Sequence, residues 1–357
     1  MIDDELSVLG DIRLFDAHSH TGVDVDGTSR TCEEQVEALE AIGGGRAVVF
    51  PLAVDGGYEA ENRRVIEECA RHIEHLVPFA RLDPRTITAQ TAAAALVGGA
   101  KGFKLHPRAE NFRLDDPGVE TIAGVAAEAR VPVLIHAGVG VGSFGETITD
   151  LAARHRGCPI ILAHAAVSDL AWLWRVSPEH PNLFFDTSWW NASDLLALFA
   201  LVPPGQILFG SDEPYMDFEA VLAITMRCAR FAGLTPKAIE SVAGGQLDRL
   251  LSGEASEDAG PAPGPPVAVP SPTESRLSTL IAAAGGCALG GGDASRLLEL
   301  ARAGIGSEGS ALSIDAEPVM GALIEEAAAG SAESPWALAM ALVLLATPGV
   351  ESAVPVT

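Results

Sequence analysis

Short apolar segments alternate with longer segments of helical periodicity from residue 12 to about residue 252. The apolar segments recur every roughly 25 to 33 residues, which is the length of one βα unit. There are eight of them, at 12–20, 46–52, 76–82, 101–107, 131–138, 158–165, 182–188 and 206–212. Because a strand covered by helices on both faces has no polar face, such nearly continuous apolar runs indicate a parallel sheet.

The segments between the apolar runs predict helices with recognisable starts. Thr31 and Glu34 form the pattern of a capping box, and Gly43 follows the last apolar position of that segment. Further cap-like starts are Asp116-Pro117, Ser168-Asp169, Ser193-Asp194 and Thr235-Pro236. Eight strands alternating with eight helices predict an α/β fold, a closed (β/α)8 TIM barrel. An open doubly wound sheet is the alternative, but no GxGxxG follows its first strand here.

The chain changes character after residue 253. Residues 254–274 are rich in Pro, Ala, Gly and Ser and are predicted to be a linker. Residues 275–357 contain segments of helical periodicity and predict a small C-terminal helical appendage. This part has no histidine, so we expect it to serve homo-oligomer formation or partner docking rather than metal chemistry. We therefore predict a barrel domain over residues 1–253, then the linker, then the helical domain.

The composition excludes several classes of partner. The 357 residues include 48 Asp or Glu and 23 Lys or Arg, a formal net charge of −25, which argues against nucleic acid and anionic membranes. The five cysteines form no CxxC pair, which favours a reducing compartment. The acidic N-terminus is unlike a signal peptide, and the longest apolar run, 336–346, is about half of the roughly 20 residues that span a membrane. We expect a soluble, cytoplasmic protein.

Two histidines close the first apolar run, in the sequence DAHSH. His18 and His20 share one face of the predicted strand, because alternate side chains of a strand point the same way. Two imidazoles placed so can hold one metal ion, although hydrogen bonding at a strand end is the alternative. The C-terminal end of a strand, where TIM barrels place their chemistry, is also predicted for His106, His136, His164 and Asp212. We expect surface positions for His72, His75, His155 and His180.

These motifs together resemble the metal-dependent amidohydrolase superfamily, in particular its amidohydrolase-2 branch. The resemblance extends over residues 12 to about 252 and rests on DAHSH, GFKLHP, VLIHAG, ILAHA, FFDTS and ILFGSDEP in that order. SVAGGQLDRLL is similar to the closing helix of the branch, with Gln246 where the branch usually has asparagine. The resemblance implies a (β/α)8 barrel, and the branch includes hydrolases and non-oxidative decarboxylases.

The resemblance implies one divalent metal held by His18, His20, His136 and Asp212. Three imidazoles and a carboxylate suit Zn²⁺, the expected metal, and Mn²⁺, Fe²⁺ or Co²⁺ fit the same cage. Such a metal lowers the pKa of a bound water towards about 7 and makes it a nucleophile. Asp212 is expected to accept the proton of that water, with a helix-capping role as the alternative. His164 is similar to the family histidine that polarises the substrate or serves as acid and base, and a ligand of a second metal is its alternative.

Several residues near the strand ends are expected to contact the substrate or to support the ligands. Lys104 shares a strand face with His106, and in some relatives the corresponding lysine is carboxylated and bridges two metals. The alternative for this lysine is a pair with a buried carboxylate such as Asp16, Asp83 or Asp186. His106 is expected to contact substrate or orient the ligating histidines. Candidates for shaping the pocket are Arg81, Arg108, Phe144, Trp189, Trp190 and Tyr215.

Two features of these candidates, an arginine and a pair of tryptophans, suggest something about the substrate. An arginine at the mouth of the barrel suits a substrate that carries a carboxylate. The pair Trp189 and Trp190 indicates a flat apolar surface, with packing of the following helix as the alternative.

The sequence thus predicts a metal-dependent hydrolase that uses a metal-activated water on an amide, ester or lactone-type bond of a small molecule. Asp212 and His164 are its predicted catalytic residues. One alternative is a non-oxidative decarboxylase of an aromatic or enol carboxylic acid. An alternative of another class is a barrel scaffold whose helical tail carries an assembly or partner-binding role.

Overall fold

A computed structural model of the protein describes residues 12–138, 140–188, 191–265, 272–289, 292–305, 316–329 and 334–347. Each of the eight predicted apolar runs forms a strand, and the third run forms two short ones. The strands are β1 (Leu14–Val23), β2 (Ser29–Arg30), β3 (Gly45–Pro51), β4 (Leu76–Pro78), β5 (Ala80–Arg81), β6 (Phe103–Leu105), β7 (Val133–Ile135), β8 (Ile160–Leu162), β9 (Leu183–Asp186) and β10 (Ile207–Leu208). β2 is a short antiparallel partner of β1, whereas all other pairs are parallel.

The parallel strands close into a cylinder at two junctions. At the first, Phe79 joins β4 to β5: its N–H donates to the Val49 carbonyl at 2.9 Å, and the Ala80 N–H donates to the Gly102 carbonyl at 3.0 Å. At the second, β1 meets the segment after β10, where the Ala17 N–H donates to the Phe209 carbonyl at 2.8 Å and the Asp212 N–H to the His18 carbonyl at 2.8 Å. Counting β4 and β5 as one strand, eight parallel strands form a ring, so the predicted (β/α)8 barrel is confirmed.

The alternation of side chains within each strand builds two apolar layers. In β3, Val48 and Phe50 belong to a cluster formed mainly by strand residues, which fills the barrel interior. Ala47 and Val49 of the same strand belong to the larger cluster between strands and helices. Because both faces of each strand are covered in this way, the strands read as continuous apolar runs.

Ten helices of the described chain belong to the barrel region. They are α1 (Cys32–Ala41), α2 (Glu59–Cys69), α3 (Ala89–Val97), α4 (Pro117–Ala129), α5 (Gly145–Arg154), α6 (Leu170–Val176), α7 (Ala192–Leu201), α8 (Phe218–Phe231), α9 (Pro236–Glu240) and α10 (Gln246–Leu251). Short 3-10 turns lie at His164–Ala166, Ser177–Glu179 and Pro204–Gln206, and a π turn at Ser241–Gly245 precedes α10.

The predicted helix starts are confirmed in part. Thr31 and Glu34 form the capping box of α1. Asp116 and Thr235 cap α4 and α9 through their side chains. The start predicted at Ser193-Asp194 is wrong, because the side chain of Asn191 accepts the Ser193 N–H and begins α7 two residues earlier. The side chain of Asp169 does not cap α6; it binds the start of another helix, as described below.

The C-terminal region is helical, as predicted. It contains α11 (Pro272–Leu289), α12 (Ser295–Gly304), α13 (Ala316–Ala329) and α14 (Ser334–Ala346), which share an apolar cluster of their own. α14 also packs on the barrel: its residues Ala339, Met340 and Val343 belong to the large barrel cluster. The Arg227 guanidinium of α8 donates to the Thr347 hydroxyl at 2.7 Å. The boundaries of the three predicted domains stay predictions.

In the part of the chain that the structure describes, no helix combines the length and apolarity needed to cross a bilayer.

The first part of the predicted linker, residues 254–265, is irregular but is bound to the barrel. The buried side chain of Gln246 accepts the Glu257 N–H at 2.9 Å and donates to the carbonyls of Glu257, at 3.3 Å, and of Gly205. The Lys237 ammonium lies 2.6 Å from the carboxylate of the same Glu257. At Gly205 an added Cβ would lie 2.5 Å from the Glu257 carbonyl oxygen, so this close approach requires glycine. Gln246 therefore holds the chain where it leaves the barrel.

We expect Gln246→Asn to destabilise the protein, because a side chain one methylene shorter cannot reach both Gly205 and Glu257. Leaving buried backbone groups unpaired costs about 1–3 kcal/mol of unfolding free energy. At this chain length that corresponds to a melting temperature lower by roughly 1–4 °C. The measurement is thermal unfolding followed by circular dichroism. The control is Lys237→Ala, which removes the exposed ion pair to Glu257 and should cost less than about 1 kcal/mol of unfolding free energy. If Gln246→Asn melts at the same temperature as the native protein, Gln246 does not hold this segment of the chain.

Candidate metal centre and active site

Three of the predicted ligands meet where β1 adjoins the segment after β10. Nε2 of His18 lies 3.1 Å from Oδ1 of Asp212, and Nε2 of His20 lies 3.2 Å from the same oxygen. Within the described residues, His18, His20 and Asp212 form a group whose ligand atoms all lie within 4.8 Å of one another. Both imidazoles are buried. The strand places His18 and His20 on one face, as their spacing predicts.

The residues before Asp212 bring it close to β1. An added Cβ at Gly210 would lie 3.1 Å from Cβ of His18 and 3.2 Å from Cβ of Asp186, so a larger residue would push these elements apart. Asp212 itself is left-handed, with φ of 63°. Such a conformation is unusual for a residue with a side chain, and strained residues of this kind cluster at functional sites.

Asp186, at the end of β9, orients His18. Its Oδ2 lies 2.8 Å from Nδ1 of His18, and both side chains are fully buried. A carboxylate can only accept, so Nδ1 of His18 carries a hydrogen, and Nε2 of the neutral ring is then the nitrogen that can ligate a cation beside Asp212. Oδ1 of Asp186 accepts in turn from the backbone N–H groups of His164, at 2.9 Å, and Ser188, at 3.0 Å. Histidine ligands of metals are commonly held by such a second carboxylate.

Asp16, in β1, binds the backbone next to the ligand group. Its carboxylate accepts the backbone N–H of His18 at 2.8 Å and the N–H and hydroxyl of Ser211 at 3.0 and 2.5 Å. Burial raises its pKa to about 7. The sequence pattern did not assign Asp16, Asp186, Ser188 or Ser211 to the site; the clues were the strand-end positions of DAHSH, FFDTS and GSDEP.

The residues present fit a divalent metal. Burial lowers the pKa of His20 to about 3, so its ring is neutral near pH 7. Nε2 of His136 is buried without a hydrogen-bond partner. Nitrogen and oxygen atoms that can ligate a cation converge at His18, His20 and Asp212, and a cation would satisfy them together.

His136 and His164 form a hydrogen-bonded pair beside this group. Nδ1 of His164 lies 2.6 Å from the Ser188 carbonyl, so it carries the hydrogen of that ring. Burial lowers the pKa of both histidines, so both are neutral. Nε2 of His164 is then an acceptor, and Nδ1 of His136, 2.9 Å away, is the donor. This arrangement leaves Nε2 of His136 with a free lone pair, although His136 is not one of the three residues in the compact group.

A strained turn presents His164. Three successive residues, His164, Ala165 and Ala166, are left-handed with φ of 58°, 54° and 50°. For residues with a Cβ this costs roughly 1–2 kcal/mol each. Nδ1 of His164 lies 3.9 Å from Oδ2 of Asp212, so the turn brings the two predicted catalytic residues near each other.

Lys104 lies fully buried against the ligand group. Its Nζ is 3.1 Å from Nε2 of His18 and 4.6 Å from the ring centre of Phe50. The lysine thus hydrogen-bonds to a histidine, whereas the sequence suggested Asp16, Asp83 or Asp186 as its partner. Burial lowers the pKa of Lys104 to about 7, and the carboxylates of Asp212 and Asp186 oppose that shift.

The structure places the other predicted residues around this group. The His106 ring stacks on that of His136 with centroids 3.9 Å apart. The Tyr215 ring meets the His20 ring edge-on at 5.2 Å, and its hydroxyl donates to the buried carboxylate of Asp24. Arg108 is exposed and lies against Gly140, where an added Cβ would be 2.7 Å from its Cδ. Trp189 and Trp190 lie outside the described residues.

Arg81 is not available at the barrel mouth. Its guanidinium is 1% exposed and lies 2.7 Å from the carboxylate of Glu110, which is itself buried. It also donates to the Pro51 carbonyl at 3.1 Å. Arg81 therefore joins strand ends inside the protein, and the suggestion that it shapes the pocket is wrong. Phe144 is likewise buried, at the start of α5.

The charge state of Asp212 suits a proton acceptor. Burial alone would raise its pKa, but the electrostatic interactions of its carboxylate with His164 and His18, which grow when these rings are protonated, hold the pKa well below the usual value. The carboxylate is therefore ionised near neutral pH. Its Oδ1 faces the two histidines of β1, while its Oδ2 faces His164.

A parallel (β/α)8 barrel with histidines and a carboxylate at the C-terminal ends of its strands defines a class of TIM-barrel enzymes that use a metal. The chain belongs to the amidohydrolase family, whose family model matches residues 25–245. The match begins after His18 and His20, so the assignment of these two residues as metal ligands rests on the geometry of the structure. His136, His164 and Asp212 lie within the matched range. The comparison with curated proteins gives no match.

The fold is similar to several solved structures. One is 5-carboxyvanillate decarboxylase from Sphingomonas paucimobilis, with 15% identity, a TM-score of 0.52, and coverage of 68% of this chain and 99% of that one. Another is 2,6-dihydroxybenzoate decarboxylase from Rhizobium, with 14% identity, a TM-score of 0.53, and coverage of 67% and 98%. A third is an amidohydrolase from Burkholderia multivorans with bound zinc, with 16% identity, a TM-score of 0.53, and coverage of 67% and 99%. At these identities the likeness establishes the fold.

Proposed function

We propose that the protein is a metal-dependent hydrolase that cleaves an amide, ester or lactone-type bond of a small molecule, with zinc as its metal. The observation that carries this proposal is the convergence of His18, His20 and Asp212 within 4.8 Å at the barrel rim. The buried Nε2 of His136, which has no partner, supports it as a further ligand. The metal, when bound, supplies Lewis acidity and lowers the pKa of water.

The residues around the metal have separable roles in this proposal. The ionised Asp212 accepts a proton during attack on the substrate and returns it to the leaving group. His164, whose Nδ1 lies 3.9 Å from Oδ2 of Asp212, serves with Asp212 as acid and base. Lys104 and His106 support the ligands, and Arg108 and Tyr215, which are exposed at the rim, contact the substrate.

The second candidate is non-oxidative decarboxylation of an aromatic or enol carboxylic acid. It is favoured by two of the similar structures, which are decarboxylases of 5-carboxyvanillate and 2,6-dihydroxybenzoate. The same residues would then bind a carboxylate and an adjacent hydroxyl, and a protonated group would deliver a proton to carbon.

We also propose a cytoplasmic location, which the free thiols of all five cysteines support. Partner docking through α11–α14 stays a proposal. Since α14 packs on α7 and α8, any partner would contact those surfaces of α11–α14 that do not face the barrel.

One set of assays tests the proposal. The protein is expressed with added zinc, its metal content is measured, and it is incubated with a panel of lactones, esters and amides and with a panel of hydroxylated benzoic acids. Ring opening or bond cleavage without release of CO₂ supports the hydrolase, and release of CO₂ supports the decarboxylase. A metal content far below one equivalent, with no turnover of either panel, would favour the scaffold role instead. For the variant Asp212→Asn, which removes one negative charge from the site, the control is Asp150→Asn, which removes an exposed carboxylate on α5.

A further inference from the structure

One carboxylate links the two loops that carry the histidine pair. Asp169 lies in the loop after β8, five residues beyond His164. Its Oδ2 accepts the backbone N–H groups of Phe144, at 2.5 Å, and Gly145, at 3.0 Å, in the segment that follows His136. Its Oδ1 accepts the hydroxyl of Ser143 at 2.9 Å. Ser143 and Phe144 end the neighbouring loop and Gly145 begins α5, so none of the three donors belongs to the helix that Asp169 precedes.

The neighbouring residue adds a second link between the same loops. The Ser168 hydroxyl donates to the Gly138 carbonyl at 2.9 Å. Gly138 packs directly on both histidines: an added Cβ would lie 2.8 Å from Cδ2 of His164 and 3.3 Å from Cε1 of His136. The bonds of Ser168 and Asp169 therefore fix the loop backbone at the point where it touches both imidazoles.

The need for such a link follows from the local backbone. His164, Ala165 and Ala166 adopt left-handed conformations that residues with a Cβ avoid. Such a turn persists only where surrounding contacts determine it. Asp186 holds its first residue through the His164 N–H. Ser168 and Asp169 hold the chain two and three residues beyond Ala166.

We infer that Asp169 is a positioning residue for the pair His136 and His164. It fixes the loop after β7 against the loop after β8, so that Nδ1–H of His136 donates to Nε2 of His164 and Nε2 of His136 keeps its lone pair. This inference rests on the proposed function only insofar as that pair serves the reaction. Asp169 itself makes none of its hydrogen bonds to the predicted ligands.

The test compares Asp169→Ala and Asp169→Asn with a matched control. Asp116→Ala also removes a half-buried carboxylate from a helix start, but Asp116 bonds locally, to the Gly118 N–H at 2.9 Å. For Asp169→Ala we expect kcat to fall by roughly 10- to 100-fold with little change in KM, since small displacements of reacting groups have effects of this size. Zinc affinity should fall by about 10- to 100-fold if His136 is a ligand. Asp169→Asn, which keeps one acceptor oxygen, should lie between Asp169→Ala and the native protein.

A readout independent of activity is the tautomer of the two rings. In the full-length protein with ¹⁵N-labelled histidine, the native chain should show protonated Nδ1 and unprotonated Nε2 for both His136 and His164, with His136→Gln used for assignment. Asp169→Ala should lose the protected His136 Nδ1–H while its melting temperature stays near that of Asp116→Ala. If Asp169→Ala keeps the native ring signals, kcat and zinc affinity, the inference is wrong. If the native protein neither binds zinc nor turns over any substrate, yet Asp169→Ala alters the ring signals, the proposed function fails and the positioning role stands.

Discussion

Asp212→Asn is expected to lower turnover by about 10²–10⁴-fold, the range that a general base contributes. Asparagine keeps the shape of the side chain but supplies neither the negative charge that faces His18 and His20 nor a proton acceptor near His164. The zinc content of the purified protein should fall as well, because one oxygen of Asp212 lies within 3.2 Å of both histidine nitrogens. The measurements are the steady-state rate with the best substrate of the panels and metal analysis after dialysis.

The Asp150→Asn control should retain the native rate and zinc content, because that carboxylate is exposed on α5. A variant Asp212→Asn that keeps both the rate and the zinc would show that the acid of this group neither binds the metal nor takes part in catalysis. A variant that keeps zinc but loses turnover would restrict Asp212 to proton transfer.

Removal of residues 272–357 should strongly destabilise the barrel. Ala339, Met340 and Val343 of α14 are buried in the barrel's own apolar cluster, and deletion would expose the surfaces of α7 and α8 that they cover. Full burial of a single large apolar side chain is worth about 1.5–3 kcal/mol, so the loss amounts to several kcal/mol of unfolding free energy. We expect a truncated chain that aggregates or unfolds at a much lower denaturant concentration, as measured by urea unfolding and light scattering.

A shorter truncation provides the comparison. Removal of residues 348–357 leaves α14 and Thr347 in place, and its unfolding midpoint is the reference for the longer truncation. If the longer truncation is as stable as the full chain and equally active, α11–α14 are dispensable for the barrel, and a role in assembly would be the better account of them.

Much of the fold could be predicted because it depends on repeating patterns. Each strand is buried on both faces, so the eight runs stood out from the helical segments without knowledge of their neighbours. The spacing of His18 and His20 fixed their common face, and strand-end positions identified His106, His136, His164 and Asp212. These features depend on the period of a strand and on the chain order of a barrel.

The remaining features depend on contacts between distant parts of the chain. Asp169 precedes its own helix in the sequence, yet it binds the start of α5, more than twenty residues earlier. Arg81 ends a strand, where a pocket residue could lie, but it forms a buried ion pair with Glu110. The bond from Lys104 to His18 joins two strands that are not adjacent in the sheet. Neither periodicity nor spacing reports on such pairs.

The position of the three clustered ligands has a consequence for how the enzyme holds together. His20 and Asp212 are 192 residues apart in the sequence, and they lie on opposite sides of the junction between the first and last strands. A cation bound by both would act as a cross-link that encloses nearly the entire barrel in one loop. Links that close long loops restrict the unfolded chain most in theory. The same ion would then serve catalysis and stabilise the closed barrel.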